Sequence, residues 1–226
     1  MSPNAPLPAE VDARPASTRF RWAIWGGAGL VVVATALIVA FVAASHSPSS
    51  SGSAANYTTF AAGARPAPNF TLVDEHGRRF TLASLRGQPV IVTFIDPYCR
   101  DYCPREATIL TEAAAKLGTT PPAIVAVSTD PWANTEANFR ADKLHWKLGP
   151  EWRWGTGSYG QLTSVWKHYG VAVSVAKKTI AGVTIRRITH TLAAYLIDPS
   201  GNERALLLYP FTTGDVVGAS KKVIAT

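Results

Sequence analysis

In the N-terminal part of the chain the apolar positions do not alternate but run together. Trp22 to Ala44 contains no charged residue and is dominated by Ala, Val, Ile, Leu and Gly. At a rise of about 1.5 Å per residue, a helix over this run matches a hydrocarbon core of roughly 30 Å. Arg14, Arg19 and Arg21 precede it, whereas Ser45 to Ala64 carries no Lys or Arg. This asymmetry predicts a single-pass cell-membrane anchor over 22–44, with a cytoplasmic N-terminus and the remainder extracytoplasmic. A cleavable signal peptide is the rival, with Val42-Ala43-Ala44 as its small-residue site, but its apolar region would exceed the usual 7–15 residues or so. Both readings export the same domain. Residues 1–21, with Pro3, Pro6, Pro8 and Pro15, read as a disordered cytoplasmic tail, and 45–64 as a flexible tether.

From 65 to 226 the pattern breaks into short elements, enough for one folded domain. Phe70 to Leu82 alternates on either side of His76-Gly77 and predicts a hairpin. Val90 to Ile95 is a continuous apolar run suited to a buried central strand, and Ala123 to Ser128 is a second. Pro104 to Leu117 places Ala107, Leu110, Ala114 and Leu117 on one helical face. Helices are also predicted over Thr135–Leu144, Tyr159–Tyr169 and Phe211–Ala225. Thr191–Ile197 and Arg204–Leu208 read as strands joined by the turn Asp198-Pro-Ser-Gly-Asn202. The order describes an α/β fold, a central sheet flanked by helices.

Charge and cysteine content narrow the chemistry. A formal net charge of +7 is scattered along the chain, and no zinc-finger or RNA-binding motif accompanies it, so nucleic acid is set aside as a partner. The two cysteines, Cys99 and Cys103, are too few for a disulfide-dense scaffold or a four-cysteine zinc site. They fall at the C-terminal end of the first central strand, where open α/β sheets place their chemistry. Pro104 suits the first helical position, and this predicts Cys103 at a helix start, where free N–H groups favour a thiolate. The four-residue step brings Cys99 close enough for a disulfide or a shared metal. Three readings stand on spacing alone: a buried structural disulfide, a redox pair, or a soft-metal site favouring Cu(I), to which an added imidazole admits Cu(II).

Four segments together resemble the SCO/SenC family of copper chaperones, which assist assembly of the copper centre of cytochrome c oxidase. Pro68-Asn-Phe-Thr-Leu72 with Gly77 to Leu85 is similar to that family's first hairpin, and Cys99-x-x-x-Cys103-Pro104 to its C-x-x-x-C-P motif. Ser128-Thr-Asp-Pro131 is similar to its S-x-D-P segment. Thr189-His190-Thr191 with Tyr195 to Gly201 is similar to its distal histidine and the strand and turn beyond. The resemblance implies a thioredoxin-like fold over 65–226, with Cys99, Cys103 and His190 as a three-coordinate copper site. It also implies, as partners, a copper-accepting oxidase subunit or another copper chaperone, and a thiol reductant. Arg100 stands where relatives often have proline, and Thr189 where they often have an acid. Asp96 and Asp101 are candidates to orient the imidazole instead.

The alternative function is a thiol–disulfide oxidoreductase reducing the cysteines of a metal-site client, with Cys99 and Cys103 as the redox-active pair. A peroxidase is a weaker third, because the Thr expected shortly before a peroxidatic cysteine is absent. His190 separates the first two, since dithiol exchange does not need an imidazole. His46, His76, His145 and His168 fall in the tether, a turn and the helical region, and are set aside as ligands. A Met-rich copper site is excluded by the single Met. Trp132, Trp146, Trp152, Trp154 and Trp166 read as core, with an exposed subset available for docking. Lys177, Lys178, Arg186 and Arg187 flank Thr179–Ile185 and predict an exposed basic hairpin, either solvated or in contact with lipid headgroups or an acidic partner.

Overall fold

The run Val90–Ile95 is buried at all six positions, as a strand covered on both faces must be. Around it the computed structural model describes residues 56–118 and 121–224, all within one compact unit. In chain order the strands are β1 (Tyr57–Thr59), β2 (Thr71–Val73), β3 (Arg79–Thr81), β4 (Val90–Ile95), β5 (Ala123–Ser128), β6 (Trp152–Gly155), β7 (Val173–Ile180), β8 (Val183–His190), β9 (Ala193–Ile197) and β10 (Glu203–Leu208). The helices are α1 (Tyr102–Lys116), α2 (Glu136–His145), α3 (Tyr159–His168) and α4 (Thr213–Ile224), and Leu82–Leu85 forms a single 3-10 turn.

Six strands form one mixed sheet in the order β1-β10-β9-β4-β5-β6. β4, β5 and β6 are parallel, and β9, β10 and β1 add antiparallel to the other side of β4. Alternation along β4 sorts its side chains into two cores. Ile91 and Ile95 join Ala107 and Leu110 of α1, Phe139 of α2 and Val216 of α4. Val90, Val92 and Phe94 join the β2–β3 hairpin and Leu162, Val165 and Trp166 of α3. The result is a helix–sheet–helix sandwich.

Local signals place most element ends. Thr135 and Ser158 cap α2 and α3 through their hydroxyls, and Ser158 with Gln161 completes a capping box. The β2–β3 turn is closed by Asp74, whose Oδ1 accepts the N–H groups of His76 and Arg78, with Gly77 at φ 77°.

Three differences from the sequence expectation have physical causes. α1 begins at Tyr102, so Pro104 is its third residue; the first turn needs no N–H from any of its residues. β1 lies inside the segment read as tether, because Tyr57-Thr-Thr59 pairs with the open edge of β10. β6 was read only as part of a tryptophan cluster; four residues are too few for a period, and pairing to β5 makes the strand.

The expected tail, the anchor over 22–44 and the tether up to residue 55 lie outside the described residues. Among the described residues no helix is long and apolar enough to cross a membrane.

Of the five tryptophans among the described residues, four are core and Trp132 is exposed, at 42 %. Trp154 is 1 % exposed and stacks on Phe139 with ring centroids 4.6 Å apart. Trp154→Ala should therefore cost about 3–5 kcal/mol. Denaturant titration should show a lower midpoint at unchanged slope.

Candidate functional site

β4 delivers the chain to the site end of the sheet, and Asp96 turns it. Its Oδ1 accepts the Tyr98 N–H at 2.8 Å, and its carbonyl accepts the Cys99 N–H at 3.0 Å. Arg100, at the position where proline is common, stiffens the loop by other means. Its Nη1 donates to the carbonyls of Pro97 (2.9 Å) and Cys99 (3.0 Å) and lies 3.6 Å from Asp142 Oδ1 on α2.

Both cysteines are free thiols, but their surroundings differ. Cys103, on the first turn of α1, is fully buried, whereas Cys99 is half-buried. The Cys103 backbone N–H donates to Cys99 Sγ at 3.3 Å. The helix-start N–H groups expected to favour a thiolate at Cys103 thus face the sulfur of Cys99. The Cys103 thiol donating to it, against the cost of burial and with the N–H groups of Cys103, Asp101 and Tyr102, brings Cys99 down to about 5. The same hydrogen bond, together with burial, pushes Cys103 far above the ordinary thiol range. The helix start acts on the sulfur in front of it, not on the one it carries.

β8 carries His190 to the same point. Its Nε2 lies 3.8 Å from Cys103 Sγ, and its Nδ1 lies 3.1 Å from the Thr191 carbonyl. A proton on Nδ1 donates to that carbonyl and leaves the Nε2 lone pair facing the thiols. Burial lowers the pKa of the imidazole, so the neutral ring is favoured. Its orienting partner is thus a backbone carbonyl; Asp96, one of the two aspartates considered for that role, is engaged with Tyr98. The base of the β7–β8 hairpin is closed by Thr191, whose N–H donates to Ala172 O and whose hydroxyl accepts from Ala172 N–H.

Cys99, Cys103 and His190 therefore line one open cleft, with Tyr98, Tyr102 and Arg187 among its walls. Among the described residues no three metal-ligating side chains already close on one point; the contacts joining these three run through Cys103. The donor set nevertheless suits a soft ion. Bonds of roughly 2.0 Å to nitrogen and 2.3 Å to sulfur at a trigonal angle separate two ligands of one ion by about 3.7 Å. The 3.8 Å between Sγ and Nε2 is close to that.

The other histidines stay apart from the cleft. His76 is an exposed turn residue beside Glu75, His145 and His168 are exposed on α2 and α3, and His46 lies outside the described residues. Three residues to which the sequence assigns no role at the site bear on it. Glu106, fully buried three positions after Cys103, accepts a hydrogen bond from the Thr93 hydroxyl, and its other oxygen has no partner. Asp142 is 3 % exposed beneath Arg100. Trp132, expected either to pack in the core or to be exposed for docking, is exposed, and its ring carries Arg186 at 4.8 Å and Lys177 at 5.9 Å and so seats the hairpin that holds His190. An acid among the apolar positions of α1 was the available signal for Glu106.

The family model described as SCO1/SenC matches residues 60–225, which include all three candidate ligands. The chain belongs to the SCO1/SenC family. Its sequence is 30 % identical over 137 residues to the mitochondrial SCO2 homolog of Bos taurus, covering 59 % of this chain and 50 % of that protein. The Mus musculus homolog is 29 % identical, with 52 % of it covered. The chain thus spans about half the length of these curated relatives. The fold is shared with Arabidopsis thaliana ScoI solved with copper bound (TM-score 0.62, 23 % identity, 69 % of this chain and 96 % of that one). It is shared equally with yeast Sco1 with copper bound (TM-score 0.61, 23 % identity, 70 % and 87 %). These likenesses establish the thioredoxin-like SCO architecture expected from sequence.

Proposed function

We propose that this protein is a membrane-anchored copper chaperone that holds copper through Cys99, Cys103 and His190 and delivers it to the copper centre of cytochrome c oxidase. The single observation that carries the reading is the approach of His190 Nε2 to Cys103 Sγ, across 87 residues of sequence, beside a second thiol. Two sulfurs and a neutral imidazole form a donor set for copper in either oxidation state. Membership of the SCO1/SenC family and the copper-bound Sco structures support the choice of metal. In this reading residues 22–44 anchor the chain in the cell membrane, with residues 1–21 cytoplasmic and the domain extracytoplasmic. Copper is the cargo, and its acceptor is an oxidase subunit or another copper chaperone.

Delivery requires both sulfurs reduced, so a thiol reductant is a second partner. The asymmetry of the pair also supports a second activity. Cys99, half-buried at the cleft, can attack a client disulfide, and the buried Cys103 then resolves the mixed disulfide. The client gains two electrons and two protons, and the cysteine pair becomes a disulfide.

The test is titration of the reduced chain with copper, beside Cys103→Ser. A tight one-to-one complex with thiolate-to-Cu(II) absorption, lost in the variant, is expected. Weak binding by both, with wild-type disulfide exchange intact, would replace the copper reading with the oxidoreductase one.

A further inference from the structure

The β7–β8 hairpin is exposed over most of its length and carries part of its apolar residues on the side away from the body. Directly opposed residues of the two strands share a face. Val173/His190, Val175/Ile188, Lys177/Arg186 and Thr179/Thr184 form one set. This face is turned to the body, because His190 reaches Cys103 and Lys177 and Arg186 lie over Trp132. The opposite face holds Ser174/Thr189, Ala176/Arg187, Lys178/Ile185 and Ile180/Val183. It collects Ile180, Val183 and Ile185, which are 49 %, 64 % and 52 % exposed. Apolar residues thus occupy the outward tip, Lys178 stands behind them while Arg187 nearer the base borders the cleft, and no acidic residue occurs anywhere from Val173 to His190.

We infer that this outward face is a membrane-interface contact: the aliphatic tip enters the headgroup boundary of a bilayer, and Lys178 binds an anionic lipid headgroup. An apolar edge backed by cations is the pattern of interfacial membrane elements. Protein docking hot spots are enriched in Trp, Tyr and Arg and poor in Val, whereas the exposed tip of this face is aliphatic. The sheet register supplies an independent argument. Tyr57, Leu207, Ala194 and Thr93 lie in one row across the sheet, and Thr59, Ala205, Leu196 and Ile91 in another. Moving from Thr59 to Tyr57 therefore moves from Ile91 toward Ile95, so the chain preceding Tyr57 leaves the sheet at the end that bears Cys99 and the hairpin base. Only residues 45–56 separate the apolar run from Tyr57, a stretch that reaches at most about 40 Å when fully extended. On the membrane-anchored reading above, the hairpin end of the sheet is held near a bilayer, where a weak lipid contact gains from high local concentration.

The test uses the full chain reconstituted into phosphatidylcholine vesicles with or without phosphatidylglycerol. A photo-reactive benzoylphenylalanine replaces Val183, or, as a control, Leu144, which is 82 % exposed on α2. A lipid adduct is expected at position 183 and not at 144, and it should be stronger with phosphatidylglycerol. Lys178→Gln should reduce it about fivefold, corresponding to roughly 1 kcal/mol per basic residue near an anionic surface. No adduct at 183, an adduct to a second copy of the chain in place of lipid, equal adducts at both positions, or indifference to lipid charge would each overturn the inference. Every variant keeps residues 22–44 and the readout contains no copper, so failure here is distinct from failure of the copper reading.

Discussion

His190→Ala is expected to lower Cu(II) affinity by at least about a hundredfold while leaving disulfide exchange by Cys99 and Cys103 unchanged. Loss of a group that merely orients a ligand typically costs about 10–100-fold in metal affinity, and loss of a ligand should reach the upper end. The two sulfurs that remain still suit a soft monovalent ion, so Cu(I) binding should fall less than Cu(II) binding. Thiolate-to-Cu(II) absorption, followed with added Cu(II), reads the first effect, and reduction of a small disulfide reads the second. The imidazole is the ligand best placed to divide the two activities, because it touches the buried sulfur and not the half-exposed one that begins exchange. Cu(II) binding with unaltered absorption in the variant would remove His190 from the site.

The second large effect concerns Glu106. Burial raises its carboxyl to about 8, although the Thr93 hydroxyl donating to it acts in the opposite direction. The folded pKa is thus above the unfolded one, so the stabilisation is complete below about pH 4.5, the ordinary value of a glutamate in the unfolded chain. Between there and about 8 the unfolded chain gives up its proton while the folded one keeps it, and stability falls with rising pH. Across that window the loss is on the order of 5 kcal/mol. Glu106→Gln preserves the shape and cannot ionise, so its stability should be flatter between pH 6 and 8. Asp96 and Asp142, both raised to about 6 by burial, contribute mainly below that interval. Denaturant midpoints measured across the interval decide it, and equal slopes in the two proteins would mean that Glu106 ionises normally.

Much of the architecture was legible because it is encoded by neighbouring residues. The uninterrupted apolar runs Val90–Ile95 and Ala123–Ser128 are the two inner parallel strands, with the ends expected. The periodicity after Pro104 is α1, and the dense Lys and Arg around Thr179–Ile185 mark a hairpin exposed as expected. Asp130, within the Ser128–Pro131 segment, shapes its loop by its Oδ1 accepting the Trp132 N–H at 2.9 Å. The ends of α1 and the edges of the sheet were less legible. Tyr57–Thr59 and Trp152–Gly155 become strands only because another strand offers them unpaired backbone groups.

By itself the sequence determined a strand–helix order for an α/β sandwich, a thiol pair at the end of a central strand, and a single histidine worth pairing with it. Spacing, periodicity and turn chemistry act over a few residues, so these were readable along the chain. Only the tertiary structure decided which sulfur the helix-start N–H groups face. That depends on whether Cys103 points inward, which the packing of α1 on β4 settles. It also decided that Glu106 meets Thr93, that Trp132 seats the hairpin, and that Ile180, Val183 and Ile185 face outward. Ionisation and exposure respond to burial and to groups far apart in sequence, and those arise only once the sheet has brought its strands together.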